Sequence, residues 1–280
     1  MQRVPVYEFG GSGTVLNFAV ANGFPPETYL PLLQPLTDDY RVISLLPRAL
    51  WDQMPPPDGQ LNWRDGVMRD LLAGFHDHQL QDVIAIGHSF GGIASLLAVI
   101  EEPERFKALI LLDPTILTPD FFQMLDALRE NDMMDQMPLA ARAIKRQRHF
   151  ANHEAAFDYF KGRGIFTDWS DEAVRLYIDQ GTRPSEYGIT LRWSPEWEAY
   201  YFKTGYTRIW DDLPRLRGLV PTLIIRGGKS DTYLTESSEK VKAILPEATH
   251  IEIPGHGHLF PQTAPVETLQ IIQDWLKNIN

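Results

Sequence analysis

The stretch that decides the reading is Val83-Ile84-Ala85-Ile86-Gly87-His88-Ser89-Phe90-Gly91-Gly92, followed by the apolar run Ile93 to Ile100. Val83 to Ile86 is a β-branched run of strand length, and Phe90 to Ile100 has the length and apolar density of a buried helix. Between them stands Gly-x-Ser-x-Gly. A serine there has to occupy a sharp strand-to-helix turn. Glycines are required on both sides because a side chain would strike neighbouring backbone. Such a turn exposes the Ser89 Oγ, and it places the Phe90 main-chain N–H at a helix N-terminus, where the helix dipole favours a developing oxyanion. Ser89 is therefore the candidate nucleophile and Phe90 a candidate oxyanion donor. As five letters alone the pattern is common; its setting between strand and helix gives it weight.

Outward from this turn, apolar runs of strand length alternate with segments of helical period, which predicts a mostly parallel central sheet flanked by helices. The predicted strands are Val4 to Phe9, Thr14 to Ala21, Arg41 to Leu46, Val83 to Ile86, Ala108 to Leu112, Thr222 to Ile225 and Thr249 to Ile253. Continuous apolar character in these runs predicts burial on both faces. Predicted helices cover Glu27 to Leu36, Trp63 to Phe75, Phe90 to Ile100, Glu236 to Leu245 and Val266 to Ile279, with Asn62 as the N-cap of the second. From Thr115 to Trp210 the alternation stops. That stretch holds helical segments, no convincing strand and a crowd of aromatics from Phe121 to Tyr206. Because core strands stand on both sides of it, it reads as a helical cap insertion, residues 115–210, in a core made of 1–114 and 211–280. Most of its aromatics are expected to pack among cap helices, and a minority to line an apolar pocket.

Composition narrows the function. The chain has 280 residues, no cysteine, 44% hydrophobic residues and a net charge of −11. A core of that size excludes a disordered chain. The missing cysteines exclude a disulfide scaffold, a cysteine nucleophile and a thiolate metal site. An acidic balance argues against a partner tracked by its phosphates, so no nucleic-acid partner is expected. The basic cluster Arg142, Lys145, Arg146 and Arg148 reads as a solvated helix face. No apolar run reaches the length of a membrane span or forms a secretory leader, so cytoplasmic residence is the default expectation.

With Gly87 to Gly91 in this context, the chain resembles an α/β-hydrolase with a helical cap, over essentially its whole length. The resemblance implies an acid and a histidine following Ser89 in chain order, on loops after later strands. Asp231 ends the strand and glycine loop Leu223 to Asp231, 142 residues after Ser89. His258 lies in Pro254-Gly255-His256-Gly257-His258, before Pro261 and Pro265. The expected triad is Ser89, Asp231 and His258. His256 competes with His258 and reads as a loop histidine. Asp113, after Leu109 to Leu112, competes with Asp231 because some relatives place the acid there; its plain reading is a strand-end cap, and Asp231 is kept. Asp52, Asp168, Asp211 and Asp212 lack a strand-end setting and read as solvated or capping.

The same resemblance supplies a second oxyanion donor. Asn22-Gly23-Phe24-Pro25 is similar to the family's His-Gly-x-Pro loop, which makes the Phe24 amide the donor, with Asn22 in place of the histidine. The loop after Arg41 to Leu46 departs from the family's glycine pattern. Gly10-Gly11-Ser12-Gly13 is a turn between strands, and no metal or other cofactor is implied.

In the reaction so implied, His258 removes the Ser89 proton, Asp231 orients the imidazole, and the two amides hold a tetrahedral oxyanion. Small to medium apolar carboxylic esters are the leading substrates. Carbon–carbon bond hydrolysis of a dienoic keto acid is the alternative. It calls for cationic pocket residues, for which Arg48 and Arg192 are candidates, each with a solvated reading beside it. A peptidase using Glu186, Glu196 or Glu198 comes third, and a ligand-binding protein on the same fold is the non-enzymatic reading. Chain length of the acyl group and oligomeric state are open at this stage.

Overall fold

The computed structural model describes residues 3–52, 54–57, 59 and 61–279. In chain order the core elements before the insertion are β1 (Val6–Gly10), β2 (Val15–Ala19), β3 (Arg41–Leu45), α1 (Arg69–Asp77), β4 (Val83–His88), α2 (Phe90–Glu101) and β5 (Phe106–Leu112). The insertion contributes α3 (Pro119–Glu130), α4 (Pro138–Ile144), β6 (His149–Phe150), α5 (His153–Phe160), α6 (Asp171–Gly181), β7 (Thr182–Ser185), β8 (Gly188–Leu191) and α7 (Pro195–Lys203). After it come β9 (Thr222–Gly227), α8 (Thr235–Ile244), β10 (Thr249–Ile253) and α9 (Pro265–Ile279). All seven expected core strands form, within a residue or two of their expected ends.

They make one sheet in the order β1-β3-β2-β4-β5-β9-β10, in which β1 is antiparallel to β3 and every other pair is parallel. This is the α/β-hydrolase architecture, and it puts β4 at the centre. Its six residues are all buried, as are the first eleven residues of α2 behind it. Burial on both faces does not extend to the edges. β1 is half exposed and β10 presents Thr249 and Glu252 to solvent, because an outermost strand has a neighbour on one side only. Asn62 caps its helical segment as expected, its Oδ1 accepting from the Arg64 and Asp65 N–H groups at 2.9 and 3.1 Å.

The stretch 115–210 departs from expectation in one respect. It is mostly helical, yet β6, β8 and β7 form a separate three-stranded antiparallel sheet. Two residues, Glu186 and Tyr187, connect β7 to β8, a loop length suited to a tight hairpin. Most aromatics of the insertion pack on each other, as in the cluster of Phe150, Tyr159, Phe160, Phe166 and Tyr177. Polar bonds tie the insertion to the core, Trp63 Nε1 donating to the Tyr201 carbonyl and Trp197 Nε1 to that of Met54, while Trp210 Nε1 donates to the Leu117 carbonyl and joins the two ends of the insertion.

The turn after β4 is as tight as its glycines require. A Cβ at Gly87 would lie 2.5 Å from the Gly91 carbonyl oxygen, and one at Gly91 would lie 2.4 Å from the carbonyl oxygens of both Ala19 and Val20. Backbone cannot yield there as a flexible side chain would. Gly91→Ala is therefore expected to lower the unfolding free energy by about 3 kcal/mol or more, read as a reduced urea midpoint with an unchanged slope.

Candidate active site

Ser89 sits at φ 57°, ψ −123°, a left-handed backbone that a non-glycine residue rarely adopts. The turn is held by the Ser89 N–H on the Leu112 carbonyl at 3.1 Å and by the Gly92 N–H on the Ser89 carbonyl at 3.0 Å. Its Oγ lies 2.9 Å from His258 Nε2. On the other side of the ring, His258 Nδ1 lies 2.7 Å from Asp113 Oδ2. Ser89, His258 and a buried carboxylate thus stand in hydrogen-bonded series. His256 does not join them; its Nδ1 meets the Thr263 hydroxyl at 3.0 Å.

The carboxylate is not the expected one. Asp231 is exposed, and its Oδ1 accepts from the Thr232 hydroxyl at 3.3 Å. The reason lies in strand order. β5 is paired beside β4 with Leu112 opposite His88, so the residue after Leu112 emerges next to Ser89. Asp113 then turns inward at φ 40°. Asp231 lies four residues past the end of β9, and the loop closes around Ser230, whose Oγ accepts from the N–H groups of Thr232 and Tyr233 at 3.1 and 2.9 Å. The Ser230 hydroxyl donates in turn to Asp113 Oδ2, and the Gly227 N–H donates to Asp113 Oδ1 at 2.8 Å. With His258 the fully buried Asp113 carboxylate has three donors, the compensation that burial of a charge requires. Ser230 carried no sequence signal apart from its place beside Asp231.

The Phe90 N–H opens α2 and has no acceptor among the described residues. The Phe24 N–H differs from expectation: it donates to the Ala21 carbonyl at 3.2 Å, closing a turn through Gly23 at φ 91°. Asn22 does not leave this loop unsupported. Its Nδ2 donates to the main-chain oxygen of Glu198 in α7 at 3.0 Å, and the Glu198 carboxylate lies against Gly23 while Arg146 holds its Oε1 at 2.7 Å. Arg146 thereby leaves the solvated basic face to which the sequence assigned it, whereas Arg142, Lys145 and Arg148 remain exposed. Burial raises the Glu198 carboxyl above its ordinary range and the Arg146 charge opposes that shift.

His88 forms a second buried connection. Its Nε2 meets the His258 carbonyl at 2.9 Å, and its Nδ1 meets the Tyr29 hydroxyl at 2.8 Å. Since the carbonyl can only accept, Nε2 carries the proton and Nδ1 accepts from Tyr29. The Tyr29 oxygen accepts from the Ala21 N–H at 3.2 Å. One chain of hydrogen bonds therefore joins the end of β2, the serine turn and the histidine loop. Burial pushes the His88 imidazole well below its ordinary value, with His258 adding to the shift, so His88 is neutral. The other aspartates set aside in the sequence stay outside the series, though Asp212 is buried rather than solvated and is bonded by Tyr206, Arg64 and Arg215.

With this geometry in view, comparison with known proteins is direct. The Alpha/beta hydrolase family matches residues 16–271. The chain belongs to that family. This hydrolase is 24% identical over 274 residues to the 2-(acetamidomethylene)succinate hydrolase of Mesorhizobium japonicum, covering 95% of this chain and 89% of that protein. The crystal structure of E-2-(acetamidomethylene)succinate hydrolase superposes with a TM-score of 0.80 at 22% identity, covering 97% and 94% of the two chains. A thermophilic esterase from Thermogutta terrifontis gives 0.67 at 20% identity, covering 98% and 93%. Those identities carry the fold and no substrate. Among the described residues, no helix is long and apolar enough to cross a membrane, and no group of histidine and acidic side chains is placed to hold a metal ion.

Two outcomes are expected. Asp113→Asn should lower kcat about 10⁴-fold, while Asp231→Asn should leave it within twofold, as measured by steady-state hydrolysis once a substrate is in hand. The second concerns pH. The unfolded chain protonates His88 below about 6.5 whereas the folded chain resists it, so this contribution to stability is complete above that pH and is lost as pH falls. Urea unfolding between pH 7.5 and 5 should show a steeper fall for the native chain than for His88→Gln, by up to ~1.4 kcal/mol per pH unit.

Proposed function

We propose that this chain is a serine hydrolase that cleaves carboxylic esters of small to medium neutral acyl groups through an acyl-enzyme on Ser89. The observation that carries the reading is the series Ser89 Oγ, His258 Nε2, His258 Nδ1 and Asp113 Oδ2 at 2.9 and 2.7 Å, beside a Phe90 N–H that has no acceptor among the described residues. His258 takes the Ser89 proton as Oγ attacks the carbonyl carbon, and Asp113 stabilises the imidazolium and fixes its tautomer. The Phe90 amide receives the oxyanion, a contribution of about 3 kcal/mol for one donor. The Phe24 amide joins it as a shared donor, its 3.2 Å bond to Ala21 standing at the long end of the ordinary range. The alcohol departs with the proton from His258. Water, activated by the same imidazole, then releases the acid and restores Ser89.

Charge pairing favours a neutral acyl group over a dienoic keto acid. Both candidate cations are taken: Arg48 is paired with Asp70 at 2.6 Å, and Arg192 with Glu27 at 2.7 Å and the Gln180 carbonyl at 2.8 Å. Residues 115–210 act in this reading as the cap. Its Trp169 and Tyr177 pack on Phe24, at 6.1 and 5.5 Å between ring centres, and its Trp193 and Tyr201 pack on Phe90, at 6.3 and 5.1 Å. Aromatic surface is thus set around both proposed oxyanion donors. The Mesorhizobium relative is a 2-(acetamidomethylene)succinate hydrolase, which supports hydrolysis of an N-acyl group as the second substrate class for the same site.

Hydrolysis of p-nitrophenyl esters from acetate to palmitate tests the reading. The native chain should turn over the short members with a chain-length optimum, and Ser89→Ala should lose about 10⁶-fold in kcat with its thermal midpoint retained. A folded native chain inert to the series and to a fluorophosphonate probe would turn the assignment toward a binding role.

A further inference from the structure

Ser89 Oγ has a second partner, which lies outside the triad. The Thr115 hydroxyl stands 3.1 Å from it, and the Thr115 N–H also reaches the Ser89 carbonyl at 3.4 Å. The proton inventory sets the direction of that hydroxyl contact. Asp113, with Gly227 and Ser230 donating to it, accepts the proton on His258 Nδ1. A neutral imidazole with Nδ1 protonated has Nε2 as acceptor, so the Ser89 O–H donates to it. Only lone pairs then remain on Oγ, and Thr115 must be the donor. Its position is fixed by backbone: Asp113 is bonded through its N–H to the Ile225 carbonyl at 2.8 Å, and Pro114 stands between the two residues.

We propose that Thr115 is a further catalytic residue of this site, a hydroxyl donor to the attacking and leaving oxygen of Ser89. The inference rests on the acyl-enzyme reading above. A hydrogen bond to a neutral hydroxyl strengthens when its acceptor gains negative charge, so the contact is worth more in the transition state than in the resting site. During acylation Oγ loses its proton to His258 Nε2 as its bond to the carbonyl carbon forms. During deacylation the water oxygen is bonded to that carbon, the carbon–Oγ bond breaks, and Oγ recovers a proton from the His258 imidazolium. Thr115 supports the oxygen in both steps and transfers no proton itself.

The experiment compares the native chain with Thr115→Val, which keeps the shape and lacks the donor, and Thr115→Ser, which keeps the donor and lacks the methyl. Burst and steady-state rates with p-nitrophenyl acetate are measured from pH 5.5 to 9, with thermal midpoints and fluorophosphonate labelling. Thr115→Val should lose about tenfold in both burst rate and kcat, with KM within twofold and the pH midpoint of kcat/KM unmoved. Thr115→Ser should recover most of the loss. Equal losses in the two variants would trace the effect to disturbed packing at position 115, independent of the donor, and overturn the proposal, as would a Val variant at the native rate. A shifted pH midpoint would overturn it by showing that His258 had moved. If the native chain neither labels nor bursts, the acyl-enzyme reading fails and takes this proposal with it, whereas a labelled native chain with an indifferent Thr115 overturns this proposal alone.

Discussion

The structure depends on one steric constraint, the approach of the backbone after β4 to the backbone at the end of β2. At Gly91 there is no room for even one carbon between α2 and the carbonyls of Ala19 and Val20. That proximity drives α2 against the sheet, sets the left-handed turn at Ser89 and brings the Phe90 N–H beside the loop that carries Phe24. A similar contact recurs at the neighbouring corner, where a Cβ at Gly227 would lie 2.4 Å from the Gly257 carbonyl. The Gly227 N–H is thereby free to reach Asp113 while the His258 loop passes close by. The geometry of the candidate site is a consequence of backbone packing first and of side-chain chemistry second.

Much of this was legible from residue order. The strand run, the glycine spacing and the apolar helix after Ser89 are local signals, and local signals decide a strand-to-helix turn. His258 was legible because Gly257 before it and Pro261 after it mark its loop. The acid was not, because two carboxylates follow two different strands and the choice between Asp113 and Asp231 depends on which strand lies beside β4. That is a property of sheet order, to which linear spacing is blind. Arg146 was misread for a related reason: its partner Glu198 is 52 residues away, and nothing in a basic run distinguishes the one side chain that folds inward. The small sheet of β6, β7 and β8 escaped notice because strands of two to four residues leave little periodicity to read.

The charges around the proposed chemistry show one pattern. The arginines that could have presented a free cation to a substrate are paired, Arg48 with Asp70, Arg146 with Glu198 and Arg192 with Glu27. Such pairs, partly withdrawn from water, set geometry more than they add stability. His88 is kept neutral by burial, and the Asp113 charge is absorbed by three donors. The acidity of the chain as a whole is therefore carried by its outer surface and is not concentrated at Ser89.

The bond from Asn22 to the main chain of Glu198 has an evolutionary consequence. In a fold whose insertion merely covered the site, one insertion could replace another and alter specificity while the machinery below stayed intact. Here α7 supplies part of the scaffold of the loop that bears Phe24, so the two segments are mechanically one part. A foreign insertion whose backbone presents no carbonyl to Asn22 would change the covering of the site and the support of the Phe24 loop together. Side-chain substitutions inside the insertion leave that main-chain contact in place, whereas replacement of α7 removes it.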